Sequence, residues 1–438
     1  MNNLKLGLKK TKQEYLSELV LPVLLFATIG AFYWAIRGTG GYGGSSGATY
    51  AGIGWALAWF FLSYESDEKK TRPYSSGWVV LAITLGIGIG GMHGYGQFMS
   101  WIRGVFYVNG PEETMAINPA IGFLWLFQCG LAWGGTAGIF LAWCGSKTPT
   151  QKKDWIFRII FGIAGGLVGY LIPTLFPGLI NPLYDTVDYS DCADCARTLS
   201  TSQSSMALLG VFFGLLAYEI IRKEWRGVAL TLTMAIGWGL AFSIFAFWHF
   251  GPQFSDLPLD WWKMWEMSIG FVGGATLGLC YYLYNRPFKK EKIELILQQP
   301  YSEYRNAEKI LGVELTIAVA LGWSIYNGIG GFVGKFGLEN PWGLIISIPF
   351  IGICILYTII MILRTRKKPY QQNDGRENIS HPALRFIIVH GILVILGYMV
   401  SYSMEPTFGY IFRMWIYSIL LIFDALVTVI RIKSEKLL

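Results

Sequence analysis

Leu19-Val-Leu-Pro-Val-Leu-Leu-Phe-Ala-Thr-Ile-Gly-Ala-Phe-Tyr-Trp-Ala-Ile36 contains no charged side chain, and Arg37-Gly-Thr-Gly-Gly-Tyr-Gly-Gly-Ser-Ser-Gly47 follows it directly. At 1.5 Å per residue the apolar run extends about 27 Å, enough to cross most of a hydrocarbon core of about 30 Å. Lys5, Lys9, Lys10 and Lys12 precede it, as in a signal peptide. The run is full length, however, and no small-x-small cleavage site follows, so it reads as a retained first membrane helix.

Eleven similar stretches follow, and together the twelve cover 19–36, 43–62, 78–98, 119–143, 155–175, 206–221, 228–250, 262–284, 310–333, 342–363, 384–402 and 410–430. The fold class expected is an all-α polytopic integral membrane protein with about 12 transmembrane helices. Of the 35 Lys and Arg, 29 fall in the tails, alternate connections and their bordering span ends, and only Arg37, Arg103, Arg197, Lys263, Lys335 and Arg413 fall on the other side. The positive-inside rule then places both termini in the cytoplasm, with the plasma (bacterial inner) membrane as the expected location. Hydrophobic residues at 53%, charged residues at 14% and a mean hydropathy of +0.44 exclude an ordinary soluble globule. The net charge of +7 is accounted for by membrane-flanking basic residues and calls for no nucleic-acid partner.

The whole of 1–438 is expected to be one transmembrane domain. The tail 1–18, the external acidic loop 181–205, the cytoplasmic basic loop 285–309 and the tail 431–438 are too short to bury separate cores. Within the basic loop, Lys292-Ile-Glu-Leu-Ile-Leu297 is compatible with a short surface helix. Glycine, at 53 residues, is concentrated inside the spans, where small side chains let helices approach closely. Gly90-Gly91-Met-His-Gly94-Tyr95 is echoed by Gly165-Gly166-Leu-Val-Gly169-Tyr170, which suggests glycine-rich helical hairpins repeated along the chain.

Polar residues within the spans gather near one depth. Counted from the cytoplasmic ends of the odd spans, Arg37, His93, His249 and Asn327 lie about 15 to 21 residues along, in the outer third of the bilayer. Glu266 and Gln128 reach comparable depth from the other direction, with Tyr42, Tyr95, Gln97 and Arg103 at similar or shallower levels. The pattern implies a polar, aromatic-rimmed cavity opening outward; ordinary interfacial anchoring accounts equally for several of these residues. In the loop after Arg37, Gly40, Gly41 and Tyr42 belong either to an anion cradle of backbone N–H groups or to a tight turn between packed helices. The run Gly38-x-Gly40-x-x-Gly43 carries no nucleotide signal, because neither a strand nor Gly-Lys-Ser/Thr accompanies it.

In the last expected hairpin, His390 and Asp424 would lie at similar depth, as a structural pair or a proton relay. Cys192 and Cys195 form Cys-x-x-Cys in the acidic external loop and read as a local disulfide. No metal set is evident and no cofactor is implied. The leading functional reading is a carrier or permease for a small polar, perhaps anionic, solute, lined by the residues above. An alternative is a membrane-embedded transferase or hydrolase acting on a lipid or glycan at the outer leaflet, with His93 as base, Glu266 as acid or orienting carboxylate and Arg37 with Arg103 binding an anion. A structural or sensory subunit is the third. Membrane lipids and either a small solute or a lipid-linked substrate are the expected partners.

Overall fold

A computed structural model describes residues 15–63, 72–92, 95–96, 98–146, 150–189, 191–287, 307–338, 341–367 and 380–436. His93, Gln97, the first fourteen residues, Lys292–Leu297 and most of the loop 285–309 lie outside the described residues. Long helices occupy all twelve expected places: α1 (Leu21–Arg37), α2 (Gly44–Ser63), α3 (Trp78–Gly90), α4 (Pro119–Trp143), α5 (Lys152–Leu175), α6 (Ala193–Ile221), α7 (Trp225–Ile244), α8 (Trp261–Tyr284), α9 (Thr316–Gly334), α10 (Trp342–Lys367), α11 (Ser380–Ser401) and α12 (Phe408–Lys436). Ten helices among the described residues are long and apolar enough to cross a membrane. The chain is an integral, multi-pass, largely helical membrane protein.

α2 and α3 fall outside those ten for different reasons. α2 is buried almost from end to end and needs no lipid-facing surface. α3 stops at Gly90 instead of continuing to Phe98 as the apolar pattern suggests, and its 13 residues rise only about 20 Å. Alternating glycines lead up to the end of the helix, where Gly91 is buried and Met92 is exposed. Among the described residues this largely helical chain carries one short strand pair, which leaves the all-α class standing. Val105–Tyr107 (β1) pairs antiparallel with Thr114–Ala116 (β2), with Val105 opposite Ala116, to form a small hairpin on the face that carries Arg37.

The glycines do build close helix crossings, although not as a row of equal hairpins. α2 packs on α3, α5 on α6 and α9 on α10, but α1 packs chiefly on α8 and α4 on α7. Gly30 and Gly270 meet backbone to backbone where α1 crosses α8. Gly134 and Gly138 play the same part against Met234 and Thr231 of α7, and Gly165 against Gly210 of α6. Packing between segments distant in sequence therefore overrides the local echo.

The pairing brings buried tryptophans together. Trp34 lies 4.8 Å, centroid to centroid, from both Trp133 and Trp238, and Trp55 lies 5.5 Å from Trp238. These buried indoles fill the middle of the bundle. On the face opposite Arg37, Arg72 pairs with Glu18 at 2.8 Å, Arg158 with Glu219 at 2.6 Å, and Arg385 with Glu314.

Candidate functional site

The loop after α1 closes its own hydrogen bonds. Thr39 N–H donates to Ile36 O and Tyr42 N–H to Thr39 O, both at 2.8 Å. Gly41 and Gly44 adopt φ of +84° and +52°, the left-handed region in which glycine carries no steric penalty. The resulting reversal lays Gly40 and Gly41 against Gly331 of α9. Tyr42 is buried, donates to Ser324 O at 2.6 Å and packs its ring 4.7 Å from that of Tyr50. The loop is thus a tight turn that packs on α9 through Gly41 and Tyr42, with Gly40, Gly43 and Gly44 exposed.

Arg37 at the end of α1 is 5% exposed. Its guanidinium lies over three aromatic faces, 5.0 Å from Trp34, 5.1 Å from Tyr95 and 4.9 Å from Trp133, and donates to Tyr95 Oη. Among the described residues no carboxylate pairs with it, and its Nε has no hydrogen-bond partner. Across the Cα of Gly38 sits Glu266, 1% exposed, close enough that a Cβ on Gly38 would strike Oε1. The other carboxylate oxygen accepts from Lys263 Nζ at 2.5 Å, and the same ammonium donates to Ala35 O at 2.9 Å. The cluster therefore buries two cations against one anion, with the second cation held by ring faces.

Toward the surface this cluster leads to an arginine-lined cup. Tyr95 lies 5.7 Å from Trp265, and the His249 ring lies 5.1 Å from Trp265 and 5.2 Å from Trp262. His249 Nε2 is buried and has no partner among the described residues. Trp262 then forms part of a cavity of about 300 Å³ that is also lined by Arg103, Arg197, Asp194, Ser100 and Thr198. Arg103 and Arg197 are exposed, and neither makes an ion pair among the described residues. Asp194 is instead committed to the hairpin loop, where Oδ2 accepts from Gly110 N–H at 2.8 Å and its own N–H donates to Val108 O at 3.2 Å. Cys192 and Cys195 are joined in a disulfide at the start of α6, which ties this corner together.

The remaining expected site residues lie apart from that line. Gln128 donates to Ser205 O at 3.0 Å and faces a separate cavity between α4 and residues 178–186. Asn327 donates to Trp323 O of its own helix and lines a third recess with Gly41. His390 and Asp424 do not meet. α1 packs against both α11 and α12 and supplies each a partner, Tyr33 Oη at 2.5 Å from His390 Nδ1 and Thr28 Oγ1 donating to Asp424.

Two residues of the polar line are missing from the sequence reading. Lys263 reads as an interfacial anchor, although its i, i+3 spacing to Glu266 on one helix is a signal for the pair. Arg197 is one of six basic residues on the sparse side, two positions beyond the disulfide, and only the fold brings it to Arg103.

No protein-family profile matches the chain, and no solved structure matches it. The chain is similar to the phosphatidylglycerol–prolipoprotein diacylglyceryl transferase of Chromohalobacter salexigens, 23% identical over 253 residues, a match that covers 55% of this chain and 89% of that enzyme.

Proposed function

We propose that the chain is a membrane-embedded lipid transferase that holds the phosphate of an anionic phospholipid at the Arg103–Arg197 cup. The observation that carries the reading is the convergence of two unpaired guanidiniums on one cup beside a polar cluster that already holds a surplus cation. Guanidinium forks bind phosphate oxygens in bidentate fashion and stabilise negative charge that grows on them during group transfer. Arg37 and the Glu266–Lys263 pair set the field behind the cup. Lys263 engages Glu266 and both are buried, so Glu266 acts as a positioning carboxylate and not as a solvent-exchanging acid. Among the described residues the base available to this face is His249, whose unpartnered Nε2 lies behind Trp262; His93, the base expected from the sequence, lies outside the described residues.

The similarity to a lipid-modifying transferase supports this reading over a carrier, as does the aromatic filling of the bundle centre among the described residues. In this proposal the chain crosses the membrane twelve times with both termini cytoplasmic and the Arg37 face external, supported by the division of 29 basic residues against 6.

Transfer is tested with the purified protein in liposomes containing phosphatidylglycerol labelled in its acyl chains, with a prolipoprotein as acceptor. Label should move to the acceptor, and the folded Arg103→Ala/Arg197→Ala variant should transfer at least about tenfold more slowly. Unchanged transfer by that variant, or absence of transfer by the wild type, overturns the assignment.

A further inference from the structure

Among the described residues three charged side chains line the cup: the Arg103 and Arg197 guanidiniums and the Asp194 carboxylate. Asp194 and Arg197 stand three residues apart on α6, a spacing at which opposite charges on one helix meet. Here they make no ion pair. The hairpin holds the carboxylate instead, since Oδ2 accepts from Gly110 N–H at 2.8 Å and the backbone N–H of Asp194 donates to Val108 O at 3.2 Å. The disulfide between Cys192 and Cys195 brackets the residue in the first turn of the helix. Oδ1 has no hydrogen-bond partner among the described residues. Arg197 turns toward Gly96, where an added Cβ would stand 3.6 Å from Nη2. The cup therefore carries a fixed negative charge that stands apart from its two cations.

A carboxylate opposes any anion that enters, and it opposes a doubly charged one more. Two guanidiniums and one carboxylate leave the lining one positive charge, the match for the single negative charge of a phosphodiester. A phosphomonoester carries about −1.5 to −2 at pH 7, and its further charge also faces Asp194. With about 8 Å between that further charge and the carboxylate, repulsion changes a binding constant about twofold at the dielectric constant of water and about thirtyfold at 20.

We propose that Asp194 is a specificity-determining residue of the cup, biasing it toward singly charged phosphodiesters and against doubly charged phosphomonoesters. The inference rests on the reading of the cup as a phosphate site.

The test compares short-chain phosphatidylglycerol with short-chain phosphatidate of the same acyl chains, titrated calorimetrically at pH 8 and fixed salt into the full chain in phosphatidylcholine nanodiscs. Asp194→Asn keeps an oxygen for Gly110 N–H and removes the charge. It should shift the ratio of the two affinities toward phosphatidate by at least about threefold. A purely structural role would weaken both lipids alike and leave the ratio unchanged. Thr198→Asp, which adds a second carboxylate to the lining, should shift the ratio the other way and serves as the test if the asparagine variant does not fold. Binding that requires Arg103 and Arg197 but keeps its ratio in the folded asparagine variant, or in the folded Thr198 variant where the former does not fold, overturns this inference alone. Binding of neither lipid by the wild type, or binding that survives Arg103→Ala/Arg197→Ala, overturns the phosphate-site reading and this inference with it.

Discussion

Glu266→Gln should be among the most destabilising single changes on the Arg37 face. The substitution keeps the shape of the side chain and removes the carboxylate that, among the described residues, pairs with Lys263 Nζ at 2.5 Å, leaving Lys263 and Arg37 as two cations without an anion there. At an effective dielectric constant near 20, the direct attraction at that distance is about 7 kcal/mol. Desolvation of both partners offsets much of it, and removing one member of a buried pair typically costs about 3–5 kcal/mol. Removing both charges avoids the stranded ammonium, so Lys263→Met/Glu266→Gln should be about 2 kcal/mol more stable than Glu266→Gln alone. Unfolding of the purified protein in mixed micelles, titrated with sodium dodecyl sulfate and followed by near-ultraviolet circular dichroism of the indole cluster, reports the differences. Strict additivity of the two single changes would refute the reasoning, because the pair would then carry no coupling energy.

Other substitutions probe neighbouring parts of the same face and its supports. Gly38→Ala should cost about 1–3 kcal/mol by pressing a Cβ on Glu266 Oε1, whereas Gly40→Ala, with nothing within 4 Å, should stay within about 0.5 kcal/mol in the same titration. Cys192→Ser should cost about 2 kcal/mol, the entropy expected for closing so short a loop, and alkylation without reductant should label neither cysteine of the wild type. Thr28→Val should cost about 1–3 kcal/mol by stranding Asp424, whose other carboxylate oxygen already lacks a partner. In a cysteine-free background, an impermeant thiol reagent should modify a cysteine placed at Asp256 and spare one at Arg366; the reverse pattern refutes the external placement of the Arg37 face.

The parts of this architecture that are legible in the sequence are those set by local composition. Long apolar runs fix where α1 to α12 lie, although the apolar pattern of the third span runs on to Phe98, past the end of α3 at Gly90. Azimuth is not local. Depth arithmetic puts Arg37, Gln128, Glu266 and Asn327 at one level, but only the crossings of α1 with α8 and of α4 with α7 decide that Glu266 packs beside Gly38, next to Arg37, while Gln128 turns toward Ser205. The same gap explains His390 and Asp424: counting along two helices assumes they are packed neighbours, and α1 packs against both. The fold divides the tryptophans between the bundle centre, as with Trp34 and Trp133, and the rim, as with Trp262, a division that composition does not carry.

The two basic groups of this face differ in how water reaches them, and the difference yields a final prediction. Arg103 and Arg197 are exposed, so added salt screens their attraction for phosphate; the Debye length shortens from about 10 Å at 0.1 M to about 3 Å at 1 M. Arg37 is caged by three rings and only 5% exposed, where screening is weak. Binding of a short-chain phosphatidylglycerol, measured by titration calorimetry, should weaken as salt rises, and the Arg103→Ala/Arg197→Ala protein should lose most of that slope. Arg37→Met should weaken binding at every salt concentration while preserving the slope, because it removes charge that ions in solution do not reach. A wild-type affinity independent of salt would place the phosphate away from the cup. A slope lost with Arg37 instead of with the exposed pair would reverse the order of the two groups along the path from the surface.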